Sequence, residues 1–314
     1  MTVIERYCEG HGGTRICYRT CGEQTAEPIV LITGLGQQLN SWPQDFCDAL
    51  AVRGHYVVRF DNRDVGRSSR SPHRAPTLAQ LATRRWPRGQ YAIADMAEDT
   101  AGMMDALGLD SAHLVGASMG GMIAQTLAAR RPQRVRTLTS IMSTTGAPGV
   151  GRPALSTYRR MFAPMPTDRE RSIARTVDMW RHIGSHGFPF DEERVRAVAL
   201  ESWERGGGSA ARAGVTRQLA AILKSKDRTA ELRAITAPTL VIHGDRDRMV
   251  DPSGGTATAK AIPGASLLTI PGMGHDLPVG VWPRLIDLVS EHVRSSLAPA
   301  PARRTESIVE VGAG

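Results

Sequence analysis

A serine hydroxyl becomes a useful nucleophile only when a neighbouring base takes its proton and a fixed carboxylate orients that base. Ser118 sits in Gly116-Ala117-Ser118-Met119-Gly120, between a four-residue strand-like run at 112–115 and an apolar stretch at 122–129. A sharp strand-to-helix turn drives its central residue into a poor backbone region, and flanking glycines clear the space that side chains would fill. In that setting Ser118 would present Oγ to a substrate, and the first amides of the helix would face developing negative charge. The competing reading is a glycine-rich helix start in which Ser118 is an ordinary cap.

Nine histidines are available as the base. His275 ends the glycine-rich loop Pro271-Gly272-Met273-Gly274-His275, directly after an apolar run at 265–270, where it can reach over a sheet edge. His292 falls inside a closing helix, and His113 opens the run before Ser118, at the wrong end of the same strand. For the carboxylate, the run 238–243 leads into Gly244-Asp245-Arg246-Asp247-Arg248, with Asp251 just beyond. Asp247 is the expected partner of His275. Asp245 is its rival, and it also suits bracing the turn by accepting backbone N–H bonds. Such a set performs acyl transfer, which needs donors for the oxyanion. The N–H of Met119 is one expected donor, and the N–H of Leu35, in Thr33-Gly34-Leu35-Gly36, is the other.

These residues must be held by alternating elements. Runs at 29–33, 55–60, 112–115, 135–141, 238–243 and 265–270 read as strands, with an earlier, partly exposed strand at 14–20. Their unbroken apolar character fits a parallel sheet covered on both faces. Helical recurrence marks 91–107, 122–129 and 282–297. The order predicts a three-layer α/β fold with a mostly parallel central sheet. From 144 to 235 the pattern changes to amphipathic stretches at 171–182, 192–204 and 213–223, read as an inserted helical cap. The expected division is 1–143 and 236–298 as core, 144–235 as cap, and 299–314 as a flexible tail. Met142, Met161, Phe162, Met165, Met179, Trp180 and Phe188 are candidates to line a pocket under that cap, with Trp42 and Asn40 near the oxyanion turn. The polar loop 61–69 has two readings: an arginine–carboxylate network that orients the elbow, or a long turn tying itself together. The second is preferred.

Composition narrows the partners. The net charge of +8 comes mostly from arginines scattered along the chain, as in Arg84-Arg85 and Arg159-Arg160. Without a basic tract or interleaved aromatics, no nucleic-acid partner is expected, and the arginines read as solvated helix surface. Cys8, Cys17, Cys21 and Cys47 lack metal-ligand spacing and read as reduced thiols of a cytoplasmic protein, a Cys17–Cys21 bridge being the less favoured alternative. No stretch approaches the roughly 18 apolar residues of a membrane span, so no integral membrane association is expected. The reading calls for no metal and no organic cofactor.

With Ser118, Asp247 and His275 in serine–acid–base order, the chain resembles the α/β-hydrolase superfamily over nearly its whole length. Within it, Gly34-Leu35-Gly36-Gln37, Asp61-Asn62-Arg63-Asp64-Val65-Gly66-Arg67-Ser68-Ser69, Gly116-Ala117-Ser118-Met119-Gly120-Gly121 and Gly272-Met273-Gly274-His275-Asp276-Leu277-Pro278 resemble one esterase group. That group contains aclacinomycin methylesterase and the mycobacterial LipG-like carboxylesterases. Thr33 stands where many relatives carry histidine, which changes how the oxyanion loop is braced without removing its backbone donor. The resemblance implies a serine carboxylic ester hydrolase acting on a small-molecule, moderately bulky hydrophobic ester, with a methyl ester among the candidates. A C–C bond hydrolase, a lactonase and a cofactor-free perhydrolase use the same triad and stay open. Sister enzymes that displace at alkyl carbon carry aspartate at the elbow, where this chain has Ser118.

Overall fold

The computed structural model describes residues 4–163 and 166–297, so Met165 and the tail expected at 299–314 lie outside the described residues. An eight-stranded sheet runs through the centre. Its strands are β1 (Arg6–Glu9), β2 (Arg15–Cys21), β3 (Glu27–Ile32), β4 (His55–Phe60), β5 (Ala112–Ala117), β6 (Val135–Ile141), β7 (Thr239–Gly244) and β8 (Ser266–Ile270). They lie side by side in the order β1-β2-β4-β3-β5-β6-β7-β8. The pairings β1–β2 and β2–β4 are antiparallel, and the remaining five are parallel.

Helices cover both faces. In chain order they are α1 (Gln44–Val52), α2 (Leu78–Thr83), α3 (Ile93–Ala106), α4 (Met119–Arg130), α5 (Leu155–Met161), α6 (Arg169–Ile183), α7 (Glu192–Ser202), α8 (Gly208–Ser225), α9 (Thr229–Leu232), α10 (Ser253–Ala261) and α11 (Trp282–Leu297). Successive strand residues point to opposite faces, and the two cores follow that alternation. Val30, Ile32 and Leu114 pack with Met103 of α3 and Ile123 of α4 on one side. Ile29, Leu31 and Val115 pack with Phe46 of α1 and Leu285 and Val289 of α11 on the other. The three layers are those the apolar runs predict, and α11 takes the bounds expected of the closing helix.

Of the elements that escaped the sequence reading, β1, α1 and α10 are instructive. The edge strand β1 is mostly exposed and polar, so it has no apolar run to show. Helix α1 does carry a signal, the buried Phe46, Cys47 and Leu50 at helical spacing. Helix α10 hides behind Gly254 and Gly255, poor helix formers whose lack of a side chain is needed. A Cβ on Gly255 would lie 2.6 Å from His243 Nδ1, and one on Gly254 would lie 2.9 Å from Ser143 O.

Between β6 and β7 the chain leaves the sheet for α5 to α9, the helical insertion. A wider π-type turn, Trp203–Gly207, joins α7 to α8. Strand order reverses about β3, which has β4 on one side and β5 on the other. A crevice opens at the carboxyl ends of strands at such a switch point. Thr33 follows β3 and Ser118 follows β5, so both face it.

Candidate active site

Ser118 occupies the sharp turn between β5 and α4 with φ 56° and ψ −119°. Three glycines make that turn fit. A Cβ on Gly116 would stand 2.2 Å from Gly120 O, one on Gly120 2.1 Å from Ile32 O, and one on Gly121 2.6 Å from Ser143 Cβ. The Ser118 amide is anchored to Ile141 O at 2.9 Å. The side chain makes no capping bond to α4. Instead its Oγ lies 3.0 Å from His275 Nε2, which decides against the ordinary-cap reading.

His275 and Asp247 meet because β7 and β8 are neighbours and the loops after them interlock. Gly244 passes so close that a Cβ there would lie 2.1 Å from Met273 O. The Arg246 amide donates to Met273 O at 2.9 Å, and the Gly272 amide donates to Asp245 Oδ1 at 2.6 Å. Asp245 therefore accepts a backbone N–H, but from the histidine loop and not from its own turn. Asp247 Oδ2 lies 2.7 Å from His275 Nδ1, completing an unbroken line from Ser118 Oγ to the carboxylate. His113 sits far from this line, bonded to Thr137 at the start of β5, and His292 contacts Pro238 O.

The acid is set electrostatically. Burial opposes its ionisation, but the charge of His275, bonds from His243 and His275, and the Val250 amide outweigh burial and hold Asp247 at a pKa of about 2. Its Oδ1 accepts both the Met249 and Val250 amides at 2.8 Å, so Oδ2 alone is left for the imidazole. His243 is a site neighbour that motif reading passed over. It closes β7 with its Nε2 2.8 Å from Val250 O and 3.4 Å from Asp247 Oδ2.

An amide count shows which backbone donors near Ser118 are left unused. In the turn 34–37, Gln37 N bonds Gly34 O, Gly34 N bonds Gln37 Oε1, and Gly36 N bonds Gln218 Oε1. Gly36 has φ +71°, as a tight turn of this kind demands. Among the described residues, the amides of Leu35 and Met119 donate to no protein acceptor. A Cβ on Gly34 would be 3.3 Å from Ser118 Cβ, which places this turn directly against the serine. The arrangement has a hydroxyl, its base, a charged orienting group and two uncommitted amides. It can activate the hydroxyl for attack and receive negative charge beside it.

The loop 61–69 does more than tie itself together. Asn62 Nδ2 donates to Thr33 O and Oγ1, both at 3.2 Å, and Leu39 N donates to Asp61 Oδ1 at 2.7 Å. It thus braces the turn after β3. The loop also grips the insertion. Arg205 reaches Asp61 at 2.9 Å, and Arg217 of α8 forms a two-point ion pair with Asp64 at 2.6 and 2.8 Å. Arg205 and Arg217 are buried, and Arg228 is held by Met122 O, Gln125 and Thr144 O inside the protein. These three correct the reading of the arginines as solvated surface. On the far side, His275 N donates to Ile183 O at 2.8 Å and Gly274 N to Ser185 Oγ at 2.9 Å.

Replacing Arg217 with methionine takes from the Asp64 carboxylate, 0% exposed, its two-point cationic partner and leaves it the neutral donors Tyr91 Oη and the Ser71 amide. An uncompensated buried charge costs about 3–5 kcal/mol. Urea unfolding of Arg217→Met should show a loss of that size, and a loss below about 1 kcal/mol would contradict the ion pair's role in joining insertion to core.

Of the pocket candidates, Met142 and Trp42 are core residues, the latter tilted on Phe46 with ring centroids 5.6 Å apart. Asn40 is tied to Ser202 and Val198 O of α7. Phe162 is 61% exposed and stacks on Tyr158, so it faces outward. Met161, Met179, Trp180 and Phe188 are half-buried around the insertion. The four cysteines are free thiols, and no helix among the described residues is long and apolar enough to cross a membrane.

Comparison with known proteins gives the family. A family profile described as alpha/beta hydrolase fold matches residues 27–279. The chain is 30% identical to rhodomycin D methylesterase DauP of Streptomyces sp. (strain C5), over 88% of its own length and 93% of that protein. It is 29% identical to rhodomycin D methylesterase DnrP of Streptomyces peucetius, over 88% of its own length and 93% of that protein. Among solved structures it resembles the enol-lactonase from Burkholderia xenovorans LB400, with a TM-score of 0.68 and 26% identity, covering 93% of this chain and 99% of that one. It is a hydrolytic enzyme, and the chain belongs to the α/β hydrolase fold family.

Proposed function

We propose that this protein is a serine carboxylic ester hydrolase that works through an acyl-enzyme on Ser118. The observation that carries the reading is the line Ser118 Oγ–His275 Nε2–Asp247 Oδ2, with spacings of 3.0 and 2.7 Å, beside two amides without an acceptor among the described residues. With Asp247 accepting from Nδ1–H, the imidazole presents its bare Nε2 to the serine, the tautomer a general base needs.

In the proposed cycle His275 Nε2 takes the Ser118 proton as Oγ bonds to the ester carbonyl carbon. The C=O electron pair moves onto oxygen, where the Leu35 and Met119 amides receive it. The tetrahedral centre collapses, the bond to the alkoxy oxygen breaks, and His275 returns its proton to the departing alcohol. Water then enters, gives a proton to His275 and attacks the acyl carbon. The second collapse frees the acid and re-protonates Ser118. Asp247 stays ionised throughout and stabilises the imidazolium of each half-reaction.

The substrate class rests on the methylesterase relatives and on the insertion. In this reading residues 144–235 form a cap over the crevice, and half-buried Met161, Met179, Trp180 and Phe188 offer an adaptable apolar wall to a bulky hydrophobic acyl group. A small leaving alcohol such as methanol then occupies the narrow side. The test is a panel in which methyl esters of bulky carboxylic acids and p-nitrophenyl esters of rising acyl length are compared with an enol-lactone and a vinylogous diketone. Methyl-ester kcat/KM values above those for the lactone and diketone support the proposal. Preference for the lactone, the chemistry named for the Burkholderia relative, or for the diketone overturns it in favour of ring opening or C–C cleavage.

A further inference from the structure

The insertion does more than roof the crevice. Gln218 lies on α8, wholly buried, and its carboxamide is used at both ends: Oε1 accepts the Gly36 amide at 2.8 Å, and Nε2 donates to Arg63 O at 2.8 Å. The two bonds fix which way the amide faces, since an acceptor must meet N–H and a donor must meet C=O. Its neighbour Arg217 holds Asp64 from the same helix turn, and a Cβ on Gly36 would stand 3.0 Å from Val215 Cγ2. Consecutive residues of α8 therefore grip the loop after β4 and the turn after β3.

Gly36 is the residue after Leu35, and its left-handed backbone, φ +71°, would be free to rotate if its amide had no acceptor. Rotation of either peptide in this turn re-aims the Leu35 N–H. We propose that Gln218 is a positioning residue for the oxyanion site: by claiming the Gly36 amide it leaves the Leu35 amide as the one turned toward the reacting carbonyl. This rests on the ester-hydrolase reading above and deepens it. It also makes catalysis depend on α8, an element of the insertion 182 positions away from Gly36 in the chain.

Gln218→Met keeps the volume and removes both polar ends. Its kcat on a p-nitrophenyl ester should fall by about 10- to 100-fold, the scale set by a displaced oxyanion donor, with KM within about twofold of wild type. The Ki of a trifluoromethyl ketone, whose adduct with Ser118 carries the same oxyanion, should rise in the same proportion. Gln218→Glu provides the second readout. A protonated carboxyl can accept from Gly36 and donate to Arg63 O as the carboxamide does, whereas a carboxylate opposes the Arg63 carbonyl. Its kcat should therefore approach wild type toward acid and fall away with rising pH relative to wild type, a readout that holds even where the methionine variant folds poorly. An active wild type with kcat and Ki unchanged in Gln218→Met, or with the same pH profile in Gln218→Glu as in wild type, overturns this inference alone. A wild type that neither turns over esters nor binds the ketone at Ser118 removes the parent reading and this one with it.

Discussion

Ser118→Ala should lower kcat on the best ester by about 10⁵-fold or more, because nucleophile and base act as a unit and the loss of either removes nearly the whole covalent route. The variant should fold. The strain at φ 56° belongs to the backbone, and alanine asks for no more space than serine. Its thermal midpoint should stay within a few degrees of wild type, and substrate binding should persist because the Leu35 and Met119 amides remain. Rate retention within about 10-fold would mean that another group attacks the carbonyl.

Asp247→Asn comes next, with an expected loss of about 10⁴-fold in kcat. The direction follows from Asp247 Oδ1, which accepts the Met249 and Val250 amides. An asparagine must keep its carbonyl oxygen there, so its NH₂ is forced into the place of Oδ2, facing His275 Nδ1. Two donors cannot face each other. The imidazole must then carry its proton on Nε2, where it meets Ser118 Oγ and can no longer accept the hydroxyl proton. The wild-type carboxylate, held at a pKa of about 2, stays charged at any working pH, so the variant's defect is one of imidazole tautomer and not of a protonated acid. Steady-state kinetics of the variant check the magnitude. A loss under about 10-fold would show that His275 is oriented by something else, with His243 the neighbour to examine.

Much of this arrangement was legible in the chain because it is local. Glycines around Ser118, Asp245–Asp247 and His275 are needed within a few residues of the groups they make room for, so the spacing of each loop carries its own physical reason. The buried strands likewise carry apolar residues on both faces, and β4, β6 and α11 have the bounds that the sequence runs give. The bonds that hold these loops to the insertion are not local. Asp61 and Arg205 lie 144 positions apart, and Asp64 and Arg217 lie 153 apart. An arginine on an amphipathic stretch looks the same whether it ends in water or on a buried carboxylate. Asn62 had little signal, because an asparagine in a polar loop reads the same whether or not it reaches the turn after β3. His243 had none, because an imidazole at the end of a buried strand is indistinguishable in sequence from a packed core residue.

In the proposed mechanism the insertion is part of the catalytic frame. Its α8 end holds the turn after β3 and the loop after β4, and the end of α6 with the residues just beyond it holds the histidine loop through Ile183 and Ser185. Both halves of the site, the donors and the base, are thus referenced to one helical segment. Loosening that segment should be felt at the chemical step before it is felt in substrate binding.

The account turns on a covalent bond at one oxygen, and the most direct measurement is mass spectrometry of protein treated with a fluorophosphonate or quenched during turnover of a slow ester. The account predicts a single adduct of the reagent or acyl mass on the peptide containing Ser118, lost in Ser118→Ala and strongly slowed in Asp247→Asn. Ester turnover at the wild-type rate with no adduct, or an adduct on another residue, would contradict it.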